Sequence, residues 1–177
     1  MTSGRRAAVA AVTLAVAAVL IGGGLVLLLR GGDDGTATPS GAFATALAGA
    51  RPASAPFAGL TEVRLDVGGD CHRIVLADDV DERSTGLMGR RDLGRYSGML
   101  FVFDGPNSSA FTMSDVPVPL DIGFYDAAGR PIDRLEMRPC PDRSPAECPV
   151  YLANGPYRYA LETLGGQLSS GALSSCS

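Results

Sequence analysis

Hydrophobic residues are laid out along the chain in three successive patterns. From Ala7 to Leu29, AAVAAVTLAVAAVLIGGGLVLLL, run 23 residues with no charge and with Thr13 as the one polar side chain. A helix of that length covers roughly 34 Å, enough for a hydrocarbon core of about 30 Å. Residues 30–59 are mostly Gly, Ala, Ser, Thr and Pro with few large side chains. That is the composition of a flexible linker, reaching on the order of 30 Å. From Leu60 onward, short apolar runs alternate with turn residues, the pattern of strands.

Within this last stretch TEVRLDV alternates, placing Val63, Leu65 and Val67 on one face, and GGD turns it into CHRIVLA. DDVDERSTGLMGRR is the one good helix candidate. Asp79 with Glu82 three residues later resembles a capping box, and Val80 and Leu87 fall on a shared face. GMLFVFD is a strongly apolar strand ended by GPN; SAFTM, PLDIGFYD, PIDRLEM and YRYALETL follow as further strands. Many short strands with one short helix predict a mainly β domain, a compact jelly-roll-like sandwich or barrel.

The flanks of the apolar run orient it. Arg5 and Arg6 precede it and Asp33 and Asp34 follow, so the positive-inside rule keeps residues 1–6 in the cytoplasm. The expected organisation is a transmembrane signal-anchor helix over 7–29, a linker over 30–59 and an extracytoplasmic domain over 60–177. The alternative is secretion after signal cleavage, although the apolar core is long for a signal peptide. Both readings export the domain. Residues 31–177 carry 12 Arg, no Lys and 19 acidic residues, a net charge of −7. An acidic domain without basic clusters argues against nucleic acid and against docking on anionic lipid.

All four cysteines lie in the exported part: Cys71, Cys140, Cys148 and Cys176. An even count outside the membrane reads as disulfides, with three possible connectivities. Cys140 and Cys148 bracket a short Pro-rich loop that a local bridge would pin, and Cys71 and Cys176 then pair by elimination. A zinc site is the rival reading, but no C-x-x-C occurs and His72 is the one histidine.

The motifs GLMGR (86–90), GMLFVF (98–103), FTM (111–113), PLDIGFYDAAG (119–129) and YRYALE (157–162) stand in an order and spacing that resembles the domain of unknown function 192 family, DUF192. The resemblance spans about residues 61–166. The cysteine placement looks like an exported, actinobacterial-type branch. The resemblance implies a mainly β, jelly-roll-like fold and no established activity. In one place the chain departs from the pattern. The family's segment usually reads F-W-M-K-N-T, whereas Phe111, Thr112, Met113, Ser114 and Asp115 stand here, without the Trp or the Lys.

Candidate chemistry centres on Asp121. Along PLDIGFYD it shares a face with Gly123 and Tyr125, while Leu120, Ile122 and Phe124 form the other. It could pair with Arg83 as a structural ion pair, contact a ligand in space left by Gly123, or act as a general acid/base. The expected ligand-binding set is Asp121, Met113, Arg83 and Met88. A Cys71–His72 pair is disfavoured, because neighbours on a strand point to opposite faces, and His72 reads as a surface histidine. Met88, Met99, Met113 and Met137 could suit Cu(I) but read as core fillers. Arg158 and Glu162 share a face with Ala160 and read as a solvated stripe. No metal, cofactor or catalytic residue is expected. The reading is a membrane-anchored binding module for a small cell-envelope component or a protein partner. The alternatives are an envelope hydrolase using Asp121 and an assembly partner of another membrane protein.

Overall fold

The computed structural model describes residues 41–177. The expected span at 7–29 and the first part of the linker lie outside the described residues. Among those described, no helix is long and apolar enough to cross a membrane.

The described chain is mainly β. It carries α1 (Gly41–Ala48), β1 (Arg51–Pro52), β2 (Thr61–Val67), β3 (Asp70–Ala77), α2 (Val80–Thr85), β4 (Gly98–Asn107) and β5 (Phe111–Thr112). These are followed by β6 (Leu120–Tyr125), β7 (Pro131–Met137), β8 (Val150–Tyr151), β9 (Tyr157–Leu164) and β10 (Leu173–Ser175). Eight strands form one sheet in the order β1-β2-β3-β4-β9-β6-β7, with β10 also paired to β2. β3 and β4 run parallel, and β9 is inserted antiparallel between β4 and β6. A small second sheet pairs β5 with β8.

Both faces of the main sheet are covered, which explains why its central strands are buried on both sides. One face carries Val75, Met99, Phe101, Leu120, Ile122 and Phe124 against loop residues such as Leu87, Met113 and Val116. The other gathers Val63, Leu65, Val67, Leu100, Tyr159 and Leu161. The alternation of TEVRLDV is therefore realised as drawn, with Val63, Leu65 and Val67 all buried.

Part of the linker expectation does not hold. Residues 41–48 form α1, and Phe43 is fully buried beside Tyr159, ring centroids 5.0 Å apart. Phe57 is likewise buried, edge-on to Tyr96 at 5.4 Å. Two aromatic anchors in an otherwise small-residue stretch are enough to dock it onto the sheet. Two α-helices are thus described instead of one. α2 is shorter than the pattern suggested, six residues closed by Gly86 at φ 47°, so Leu87 is buried beyond the helix while Val80 is exposed. The Asp79–Glu82 capping box is present. β4 runs on through Gly105 and Pro106 to Asn107, with a register shift against β9 that absorbs them.

Two disulfides are present: Cys71–Cys176 joins β3 to the end of β10, and Cys140–Cys148 closes the loop around Pro145.

Candidate functional site

Asp121 is buried on β6, opposite Glu136 of β7 and Thr163 of β9. Its carboxylate accepts one hydrogen bond from the Arg134 guanidinium at 3.0 Å and another from the Gly166 backbone N–H at 2.9 Å. The expected pairing with Arg83 is therefore replaced by Arg134, which projects from the adjacent strand β7 opposite Gly123, two pairs further along. The space left by Gly123 is also occupied. A Cβ there would sit 2.8 Å from the Tyr125 hydroxyl and 3.1 Å from Leu168, so the glycine admits protein side chains. Burial pushes the Tyr125 hydroxyl up to about 12, so it stays protonated. A depression of about 290 Å³ lies nearby between Tyr125, Ile132, Arg134 and Leu168, and Asp121 does not line it.

The four candidate residues do not form one cluster. Met113 is fully buried in the core on the sheet face that holds Leu120 and Phe124. Arg83 and Met88 do come together, on the wall of a second cavity of about 350 Å³. α2 and the turn after it form one side of this cavity, and Phe101, Phe103 and Phe111 form another. Gly86 allows that turn to lie against the sheet, since a Cβ would stand 3.2 Å from the Phe101 ring. Arg83 clips the helix to β4: its Nη1 donates to the Asp78 carbonyl at 2.6 Å and to the Val102 carbonyl at 2.8 Å. Its guanidinium also lies 5.2 Å from the centre of the Phe103 ring. The loop carrying Ser109 is held by Tyr157, whose hydroxyl donates to the Ser109 carbonyl and accepts from the Asn107 amide, both at 2.7 Å.

Glu162 of β9 also lines this cavity, and it is the feature that sequence reasoning missed. It is 4% exposed, its oxygens reach the cavity rather than being sealed from it, and no hydrogen bond or ion pair to its carboxyl is found among the described residues. Burial alone pushes its carboxyl up to about 8. The expected solvated stripe on β9 is therefore wrong. Ala160 is fully buried and Glu162 points into a covered layer, because β9 is a central strand with both faces packed. Glu62 on β2 shows the opposite solution to the same burial. It is 3% exposed, but it accepts from the Tyr96 hydroxyl, pairs with Arg51 at 2.9 Å and has Arg73 at 3.6 Å. The Tyr96 hydrogen bond, with Arg51 and Arg73 behind it, holds the Glu62 carboxyl below the usual range.

His72 is half-buried rather than superficial. Its Nδ1 lies 3.1 Å from the Ser97 hydroxyl and its Nε2 is buried without a partner. The adjoining void is only about 10 Å³, and Cys71 beside it is oxidised. Met99 and Met137 lie in the core as fillers.

A family model covers residues 63–175 and carries the description DUF192, Uncharacterized ACR. The chain belongs to the DUF192 family. Solved structures similar to the chain include one of unknown function from Novosphingobium aromaticivorans DSM 12444, with 32% identity and a TM-score of 0.55. That alignment covers 67% of this chain and 84% of that one. A second, from Sinorhizobium meliloti 1021, is described as a candidate transcription regulator. It shows 25% identity and a TM-score of 0.52, over 64% of this chain and 89% of that one. No curated protein matches the chain. Membership fits the five motifs, which the structure places: GLMGR closes α2, GMLFVF and FTM supply the aromatic wall, PLDIGFYDAAG forms β6 and the turn after it, and YRYALE ends on Glu162.

Proposed function

We propose that this DUF192 domain is a non-catalytic binding module, anchored outside the cytoplasmic membrane, that takes a small envelope component into the cavity above Glu162. One observation carries the reading: an unpartnered, buried carboxylate opens onto a cavity of about 350 Å³ walled by three phenylalanines. Apolar walls with a few placed polar groups are the usual make-up of a small-molecule site. Val80 and Met88 stand exposed at its edge and offer further apolar contact. Thr112 lines the cavity where the family usually carries Trp, and the smaller side chain leaves more room. The hydrolase reading finds less support. Acid–base chemistry needs a second titratable group within reach. Among the described residues lining the cavity the other titratable one is Arg83, already engaged with two carbonyls. Asp121 is satisfied by Arg134 and Gly166. Export is supported by the apolar run at 7–29 and by the bridged cysteines, which suit an oxidising compartment.

The test is an NMR titration of methyl-labelled protein with envelope components such as lipid headgroups and cell-wall fragments. Binding is expected to shift the methyls of Met88, Leu87 and Val116, and Thr112→Trp, a residue the family accepts at this place, is expected to abolish it. Shifts confined to Leu168 and Ile132, or undiminished binding by Thr112→Trp, would overturn the reading, as would a panel in which nothing binds.

A further inference from the structure

A carboxylate taken out of water needs a cation or several donors. Glu62 has them, from Tyr96, Arg51 and Arg73. Asp121 has them from Arg134 and Gly166. Glu162 is as deeply buried as these two and is the one among them with no partner in the described protein. What it meets instead is the cavity.

The neighbouring groups limit what can fill that role. On the flanking strands Glu162 is paired with Met99 of β4 and Ile122 of β6, neither of which carries a charge. Asp121 stands next to Ile122, but its carboxylate is held by Arg134. From α2 the facing cation is Arg83, whose Nη1 is committed to two carbonyls. The helix's Asp79 and Glu82 are turned into the capping box. Arg83 keeps its charge while donating to these carbonyls, but among the described residues no cation pairs with Glu162 itself, and the phenylalanine walls offer ring faces to one. The face of an aromatic ring attracts cations, and Phe103 already holds the Arg83 guanidinium at 5.2 Å. The acidic balance of residues 31–177 also favours the approach of a cation over that of an anion.

We infer that the cavity binds an organic ammonium ion, its N–H donating to the Glu162 carboxylate and its apolar body lying against Phe101, Phe103 and Phe111. This rests on reading the cavity as a ligand site. The unliganded acid holds its proton at neutral pH, because burial raises its pKa. Binding of R–NH3+ therefore leaves an ammonium–carboxylate pair and releases one proton to solvent. Affinity accordingly rises with pH until the free acid is ionised.

The experiment uses the full chain in lipid nanodiscs with 13C-methyl methionine, following the Met88 signal. Benzylammonium, benzyl alcohol and benzoate are titrated separately at pH 6, 7 and 8. Benzylammonium is expected to bind tightest at pH 8, with affinity climbing up to tenfold per pH unit below the free pKa. Glu162→Gln, which keeps the shape of the neutral acid, is expected to weaken benzylammonium at least tenfold at pH 8 and to flatten its pH dependence. Benzyl alcohol should bind that variant and the wild type alike. If benzyl alcohol or benzoate binds as tightly as benzylammonium at pH 8, the ammonium inference falls and the ligand site stands. If Glu162→Gln leaves benzylammonium binding and its pH dependence unchanged, the inference falls in the same way. If none of the three moves Met88, the ligand site itself is overturned.

Discussion

Glu62, Asp121 and Glu162 are carboxylates of nearly equal burial whose chemistry differs because their neighbours differ. A hydrogen bond from Arg134 and one from Gly166 make Asp121 a tie between β6, β7 and the turn after β9. Asp121→Asn removes the charge-assisted bond to a half-exposed Arg134, so a loss of roughly 1–2 kcal/mol is expected in urea unfolding. Ligand binding at the Glu162 cavity should be unaffected; lost binding with stability unchanged would make Asp121 a contact residue instead. Strand alternation correctly separated Asp121 from the Leu120–Ile122–Phe124 layer. It named Arg83 as the cation, whereas the β6–β7 register brings Arg134 to Asp121 instead. Alternation also grouped Glu162 with Arg158 as a solvated stripe, correctly putting both on one side of β9. It erred on whether that side faces water.

At the scale of elements, the capping box that starts α2 was visible because its signal is local, Asp79 and Glu82 three residues apart. The end of α2 was not, since Leu87 continues the helical pattern while Gly86 at φ 47° breaks the backbone. α1 was hidden for a different reason. GAFATALA has the small-residue composition of a linker, and it is held in place by tertiary packing of Phe43 on Tyr159. Isolated helices of this length are marginal, so docking must supply the stability. Phe43→Ala is expected to cost about 3–5 kcal/mol and to release α1, seen as lost hydrogen-exchange protection over residues 41–48. Unchanged protection would show that α1 holds without its anchor.

For the whole molecule, the many short strands were legible from turn residues, but their order in the sheet was not. Inserting β9 between β4 and β6 makes it a central strand, and loops that are distant in sequence then cover both of its faces. That arrangement buries Glu162 and builds the cavity from α2, β4 and the loop before β5. It also has a cost that depends on pH. The folded pKa of Glu162, about 8, stands above its unfolded value of 4.5, so the folded state holds the proton more tightly. The resulting stability is fully present below about pH 4.5. It is lost as pH rises toward 8, by at most about 1.4 kcal/mol per pH unit.

The most direct measurement is the titration of the Glu162 side-chain carboxyl carbon by 13C NMR in the unliganded protein, assigned by comparison with Glu162→Gln. A midpoint near 8 is predicted, far above that of an exposed glutamate. A midpoint near 4.5 would mean that the carboxylate is solvated or partnered, and would contradict the account.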